Sequence, residues 1–270
     1  MLAKTSVRLT MLGTGHAMTT RCYNTCFALA GNADGNYILI DAGGGNQILT
    51  RIEAAGLTWP ALEAVYLTHA HTDHILGVPW LLRRFAYAPD GARRVIYGHA
   101  DVLAALHLIC RATLGPDFQE RVSGAVAYRT VADGDTFRAA GLDLRAFDVQ
   151  ADRMRQFGLE AAWAGGRFVY TGDGRYNAGA DSRAVGADWL MGEAFCLERD
   201  REFYRPGEKG HGTARDAGLL AARLGAANLV LVHTEDDHLS ERRRDYSREA
   251  GEVFPGRVHV PDDLETIELS

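Results

Sequence analysis

The sequence is poor in several features that would each mark a class of protein. It has four cysteines in 270 residues, Cys22, Cys26, Cys110 and Cys196, too few for a disulfide scaffold at this length. Cys22 and Cys26 lie close together, but no second pair at zinc-ribbon spacing follows, so all four are expected as free thiols in a reducing compartment. No stretch reaches the roughly 18 consecutive apolar residues of a membrane span, and the N-terminus lacks a basic segment followed by a long apolar run. A cytoplasmic protein with no membrane partner is the expectation. Positive charge is not in excess: the net charge is -6, opposite in sign to the basic surplus of a dedicated nucleic-acid binder. The short run Arg242, Arg243, Arg244 is expected to be a solvated helix face. No Pro- or Ser-rich linker, repeat or low-complexity segment divides the chain. With 47% hydrophobic residues it is expected to form one domain over residues 1–270.

What is present has a regular rhythm. Val7, Leu9 and Met11 alternate with Arg8 and Thr10, the pattern of a half-buried strand. Gly13-Thr14-Gly15 ends it. Strands are predicted over residues 26–30 and 37–40, the second running into Asp41-Ala42-Gly43. Ile48, Ile52 and Ala55 carry helical spacing. A short strand at 65–67 stops at Thr68, and a helix is predicted over 75–85, with Pro79 early in it, where proline is best tolerated. Further segments follow at 94–97, 101–113, 142–146, 167–170 and 189–194. A helix over 213–224 has Thr213 as its N-cap, and strands at 229–232 and within 258–269 complete the chain. Strands then helices in each half indicate an α/β chain of two packed sheets with outer helices.

One segment carries the chemistry. Thr68-His69-Ala70-His71-Thr72-Asp73-His74 places four potential metal ligands within six residues, directly after a strand. Imidazole nitrogen and carboxylate oxygen suit zinc, and also iron or manganese. His69 and His71 are two apart, so an extended backbone points both rings the same way. Asp73 and His74 lie where the chain turns into the next helix and can face a second ion. A polar loop of three solvated histidines is the competing account, and it is improbable in a chain with ten histidines in all.

This segment resembles the signature loop of the metallo-β-lactamase superfamily, and the resemblance extends over most of the chain. Gly13-Thr14-Gly15 is similar to the opening of ribonuclease Z and its relatives. Asp41-Ala42-Gly43 resembles the aspartate turn that supports the histidine loop, Gly172-Asp173 the aspartate that bridges two metals, and His233, at a strand end, the last ligand histidine. His211-Gly212-Thr213 resembles the element whose histidine assists phosphodiester cleavage. The resemblance implies a four-layer αββα sandwich holding two divalent ions, zinc first, with manganese or iron as alternatives. Its implied ligands are His69, His71, Asp73, His74, Asp173 and His233, with Asp41 orienting a ligand histidine. Asp73 and His211 are the implied catalytic residues. His16 could equally line the pocket or sit at the surface, and His99 is expected to be structural or rim-lining. An oxygen-reducing di-iron member is disfavoured by Ala70, where those proteins usually have glutamate.

Two features depart from the family pattern. Ribonuclease Z-like proteins carry a further ligand histidine shortly before a Phe-Gly or Tyr-Gly pair. Here Phe157-Gly158 is present, but no histidine occurs between His107 and His211. Gln150 is the best-matching position and Asp152 the second. A neutral glutamine carbonyl is a weaker zinc ligand than imidazole, so the first site is expected to be weak. Transfer-RNA-processing members carry a long arm, whereas the connection from Phe157-Gly158 to the Phe168 strand is short. With the acidic charge, transfer RNA is not expected as a partner; a homodimer is allowed. The expected function is a metal-dependent phosphodiesterase acting on a small or cyclic phosphodiester through a metal-activated hydroxide. The alternatives are an ester, lactone or thioester hydrolase on the same centre, or a weakly active metal-binding protein.

Overall fold

The computed structural model describes residues 7–31, 34–88 and 90–270. Strands β1 (Val7–Gly13), β2 (Cys26–Ala30) and β3 (Tyr37–Ile40) pair antiparallel in succession. Helix α1 (Gln47–Ala54) crosses to β4 (Leu62–Leu67), which lies parallel to β3. Helices α2 (Thr72–Ile75) and α3 (Val78–Ala86) lead to β5 (Arg94–Gly98), and α4 (Ala100–Thr113) and α5 (Pro116–Ala125) lead to β6 (Val126–Thr130), again in parallel. The second sheet opens as an antiparallel meander of β7 (Thr136–Ala139), β8 (Leu142–Asp148), β9 (Phe157–Trp163) and β10 (Gly166–Tyr170). It continues in parallel through α6 (Asp181–Ala184) to β11 (Trp189–Glu193). Helices α7 (Arg201–Tyr204), α8 (Pro206–Lys209) and α9 (Ala214–Leu224) lead on to β12 (Asn228–Val232). Finally α10 (Leu239–Gly251) leads to β13 (Arg257–His259), and β14 (Thr266–Leu269) crosses back to β1.

Side-chain alternation explains the layers. Along β3, Ile38 and Ile40 face the core between the sheets, where Phe27, Phe168 and Tyr170 meet them. Tyr37 and Leu39 point the other way, onto Ile48, Ile52 and Leu81 of the helices outside the first sheet. On the second sheet Leu229 and Leu231 face Ala221, Leu224, Tyr246 and Ala250 of α9 and α10. A strand buried on both faces reads as a continuous apolar run rather than an alternation, as in β3 and β12. The result is the αββα sandwich that the sequence resemblance implied.

Two local readings are corrected. The helix predicted over 75–85 is broken into α2 and α3 at Gly77. A Cβ at Gly77 would overlap the Ala42 carbonyl, so the chain must pass there without a side chain, and Pro79 then opens a fresh helix. The tail at 258–269 supplies two strands as expected, β13 in one sheet and β14 in the other. Arg242 is not solvated: it is 1% exposed, on the inner face of α10 with Tyr246 and Ala250. Its guanidinium donates to Thr14 Oγ1 (2.9 Å), Thr234 Oγ1 (3.0 Å), the Pro261 carbonyl (2.9 Å) and Asp262 Oδ1 (2.9 Å). Arg243 and Arg244 are the members of the run that face solvent. Arg242→Ala is therefore expected to cost about 3 kcal/mol, a melting-temperature drop of roughly 6–12 °C. A drop under about 2 °C in a thermal melt would show that this buried network does not hold the fold. All four cysteines are free. Among the described residues no helix is long and apolar enough to cross a membrane.

Candidate metal centre

The site forms where parallel strands of both sheets end. Asp41 follows β3, Thr68 follows β4, Asp173 lies just beyond β10, Glu193 closes β11 and His233 follows β12. Such carboxyl ends leave side chains free to converge at one edge of the sheets. The Asp41 loop and the histidine loop are laced together: the Ala42 N–H donates to the His74 carbonyl (2.9 Å), and the Gly77 N–H to the Gly43 carbonyl (2.8 Å). Gly13-Thr14-Gly15 is tied to the other side, because the Thr234 N–H donates to the Thr14 carbonyl (3.1 Å) just after His233. That brings residues more than two hundred positions apart in the chain against each other.

Asp41 is buried in a left-handed conformation (φ 56°). It accepts the Thr68 N–H (2.9 Å), the Thr68 hydroxyl (2.7 Å) and His74 Nδ1–H (2.8 Å). The last bond fixes the tautomer, leaving His74 Nε2 as the free donor atom. That nitrogen is buried without a hydrogen-bond partner, 2.9 Å from Asp173 Oδ2 and 3.4 Å from Asp73 Oδ2. His233 Nε2 reaches the same place, 3.1 Å from Asp173 Oδ2 and 3.5 Å from Asp73 Oδ2. On the other side of Asp173, His69 Nε2 lies 3.4 Å from Oδ1 and 2.8 Å from His71 Nδ1.

Three donor groups result, one of them Glu193, His211 and His233, and the other two share Asp173. His69, His71 and Asp173 form the first; Asp73, His74, Asp173 and His233 form the second. Asp173 belongs to both, one oxygen to each. Nitrogens and carboxylates packed this closely, all buried but His71, with His74 Nε2 unpartnered, suit a pair of cations. The local field agrees. Burial resists ionisation of Asp73 and Asp173, yet the surrounding histidines hold both carboxyls below the ordinary range. Burial keeps His69 and His71 low, and so neutral and able to ligate.

Gln150 does not join this centre. The Val149 N–H donates to the Gln156 carbonyl (3.1 Å), closing the loop between β8 and β9 so that the residues between them bow outward. Gln150 turns out at φ 56°, and its amide packs against Gly179. Gln156 occupies the space instead: it is 3% exposed, its amide nitrogen contacts Asp173 Oδ1 and lies 3.1 Å from His69 Nδ1, and its carbonyl accepts the Gly174 N–H (3.1 Å). Its place directly before Phe157-Gly158 was the available signal. Asp152 lines the cavity rim.

A second group escaped the sequence reading. Glu193 is buried, and its carboxylate accepts His211 Nδ1–H (2.8 Å) and the Gly212 N–H (2.7 Å). The same ring nitrogen lies 2.8 Å from the Asp173 carbonyl. Nε2 is thus the free position of His211, and the ring stacks on Phe195 at 4.9 Å. Burial opposes the charged imidazolium, but Glu193 and Asp173 outweigh it and push His211 up to about 9. His16 packs on the same phenyl ring at 4.4 Å; burial and the neighbouring His233 and His211 push it down to about 4. His99 is buried against Phe157, away from all three donor groups. His69, His71, Asp173 and His211 share one cavity of about 220 Å³.

Comparison with known proteins places this geometry. Residues 36–234 match the family described as the beta-lactamase superfamily domain. A ribonuclease Z of Natronomonas pharaonis is 27% identical, the match covering 98% of each chain. The fold is shared with human tRNase Z, short form (TM-score 0.73, 20% identity, covering 97% of this chain and 99% of the other). It is also shared with zinc-bound PqqB of Methylobacterium extorquens (TM-score 0.72, 21% identity, covering 97% and 100%). The names of these relatives correct the expectation that transfer RNA is not a partner. Net charge was the wrong guide, because a chain at -6 still places Arg153, Arg175 and Lys209 on the wall of this cavity. Matched by that family over most of its length, and aligned end to end with ribonucleases Z, the chain belongs to the beta-lactamase superfamily as a ribonuclease Z-like metal-dependent hydrolase.

Proposed function

We propose that the chain hydrolyses phosphodiester bonds, with RNA ends, transfer RNA precursors included, and small phosphodiesters as its substrate classes. The observation that carries this reading is the Glu193–His211 pair, a carboxylate-held imidazole whose ring lies in the wall of the cavity that also holds His69, His71 and Asp173. Two divalent ions, zinc first, fit the two donor groups that share Asp173; when bound they polarise a water and the phosphoryl oxygen. The first group offers three donors against four in the second, so its ion is the more weakly held.

The chain's own residues do the rest. Asp41 locks the His74 ring, and Gln156 steadies Asp173 Oδ1. Asp73 holds and orients the attacking water as its proton leaves. His211 Nε2–H donates a proton to the departing oxygen. Glu193 keeps the imidazolium charged and aimed. Protein loaded with zinc, manganese or iron is expected to turn over bis(p-nitrophenyl) phosphate or a 3′-extended transfer RNA at least 100-fold faster than p-nitrophenyl esters, lactones or thioesters. The reverse ranking in one panel assay would move the chain to the ester-hydrolase class.

A further inference from the structure

The cavity that holds His69, His71 and His211 has a second character on its outer wall. Arg153, Arg175 and Lys209 line it, with Asp152 the carboxylate on the same rim. Among the described residues none of these three cations has a carboxylate within ion-pair distance. Their neighbours do: Arg155 faces Asp148 and Asp101, Arg201 faces Glu198 and Asp216, and Arg205 faces Glu208.

All three are exposed, and each touches or belongs to one short segment of the chain, Arg175 through its backbone alone. The Arg153 guanidinium donates to the Glu208 carbonyl. It passes over Gly210, a glycine at φ 84°, where a Cβ would stand 3.2 Å from Arg153 Cδ. The Arg175 N–H donates to the Gly210 carbonyl (2.8 Å). Lys209 Nζ lies 5.0 Å from the centre of the Phe195 ring, the ring that stacks on His211. One short segment, residues 206–211, therefore links all three cations to His211.

We infer that Arg153, Arg175 and Lys209 form a subsite for a second phosphate of the substrate, next to the phosphate being cleaved. The inference rests on the phosphodiesterase reading and extends it to the substrate's charge pattern. Planar guanidinium groups bind phosphate in a forked geometry, and a lysine adds a point charge. A substrate with a single phosphate leaves these cations unused. Because the subsite is hung on the His211 segment, filling it also fixes the proton donor.

Binding is the direct test. On the metal-loaded protein, calorimetry is expected to show adenosine 3′,5′-bisphosphate bound at least tenfold more tightly than adenosine 5′-monophosphate. The triple variant Arg153→Ala/Arg175→Ala/Lys209→Ala should reduce that ratio to within about twofold. The single charge reversal Lys209→Glu, at an exposed position, should lower it several-fold with less risk to folding. An undiminished ratio in both variants, or no preference in the wild type, overturns the subsite. Turnover separates the sources of the second phosphate. If UpUpU and pUpU both outrun UpU, a phosphate of a nucleic-acid strand suffices; if pUpU alone does, the subsite takes a terminal phosphate. A bisphosphate preference that the variants abolish, in a protein that cleaves none of the three, would refute the phosphodiesterase reading and leave the subsite standing.

Discussion

Asp173→Ala is expected to reduce phosphodiester turnover by at least about 10³-fold and to lower bound metal from two ions per chain to one or none. The reason is positional. Asp173 Oδ1 faces His69, and Oδ2 faces His74 and His233. It is the one residue common to the two donor groups on either side of the cluster. Removing it takes a negative charge from beside His69, His74 and His233 and leaves the first group with no carboxylate. Asp73→Ala is the informative contrast, because Asp73 belongs to the second group alone. It should abolish turnover while one ion stays with His69 and His71.

Elemental analysis reads the ion count, and a thermal melt supplies a second measure. A ligand that binds only the folded state raises its stability, so zinc should raise the wild-type melting temperature and chelation should return it. In Asp173→Ala most of that metal-dependent rise should vanish. Two ions per chain with near-normal turnover in this variant would remove Asp173 from the centre.

Most of the sandwich is legible in the sequence because its strands are short apolar runs bounded by turn residues. Tyr37 to Ile40 is buried at every position, and no reading other than a central strand fits its length. The histidine loop is legible because four ligand-type residues crowd into one stretch. What the sequence hides is convergence. Glu193 reads as an ordinary acid at a strand end until β11 sets it beside the His211 loop. Arg242 reads as one of three surface arginines until the phase of α10 turns it inward onto Thr14 and Thr234. Gln150 and Gln156 lie in the same loop, and only its closure between Val149 and Gln156 decides which one meets the cluster. Net charge misled for a similar reason: it sums over the whole surface, while substrate meets one cavity wall.

Glu193→Gln is expected to lower kcat by about 10²-fold while KM changes less than about threefold. Glutamine keeps the size of the side chain and can still accept the Gly212 N–H, which now lies 2.7 Å from Oε1. What it loses is the charge facing His211 Nδ1 at 2.8 Å. That charge helps to push the imidazolium up to about 9 against the effect of burial. The sign of the pH effect follows. If His211 works as the acid, activity falls as pH rises through its pKa, because the proton is lost. Without Glu193 that pKa drops, so the falling alkaline limb should shift to lower pH. His211→Ala should remove this limb altogether. The double variant should be no slower than His211→Ala, because Glu193 acts only through that ring. A purely structural role for Glu193 would instead lower the melting temperature and leave the position of the limb unmoved. A kcat within about twofold of wild type, with an unshifted pH profile, would assign the proton transfer to another group.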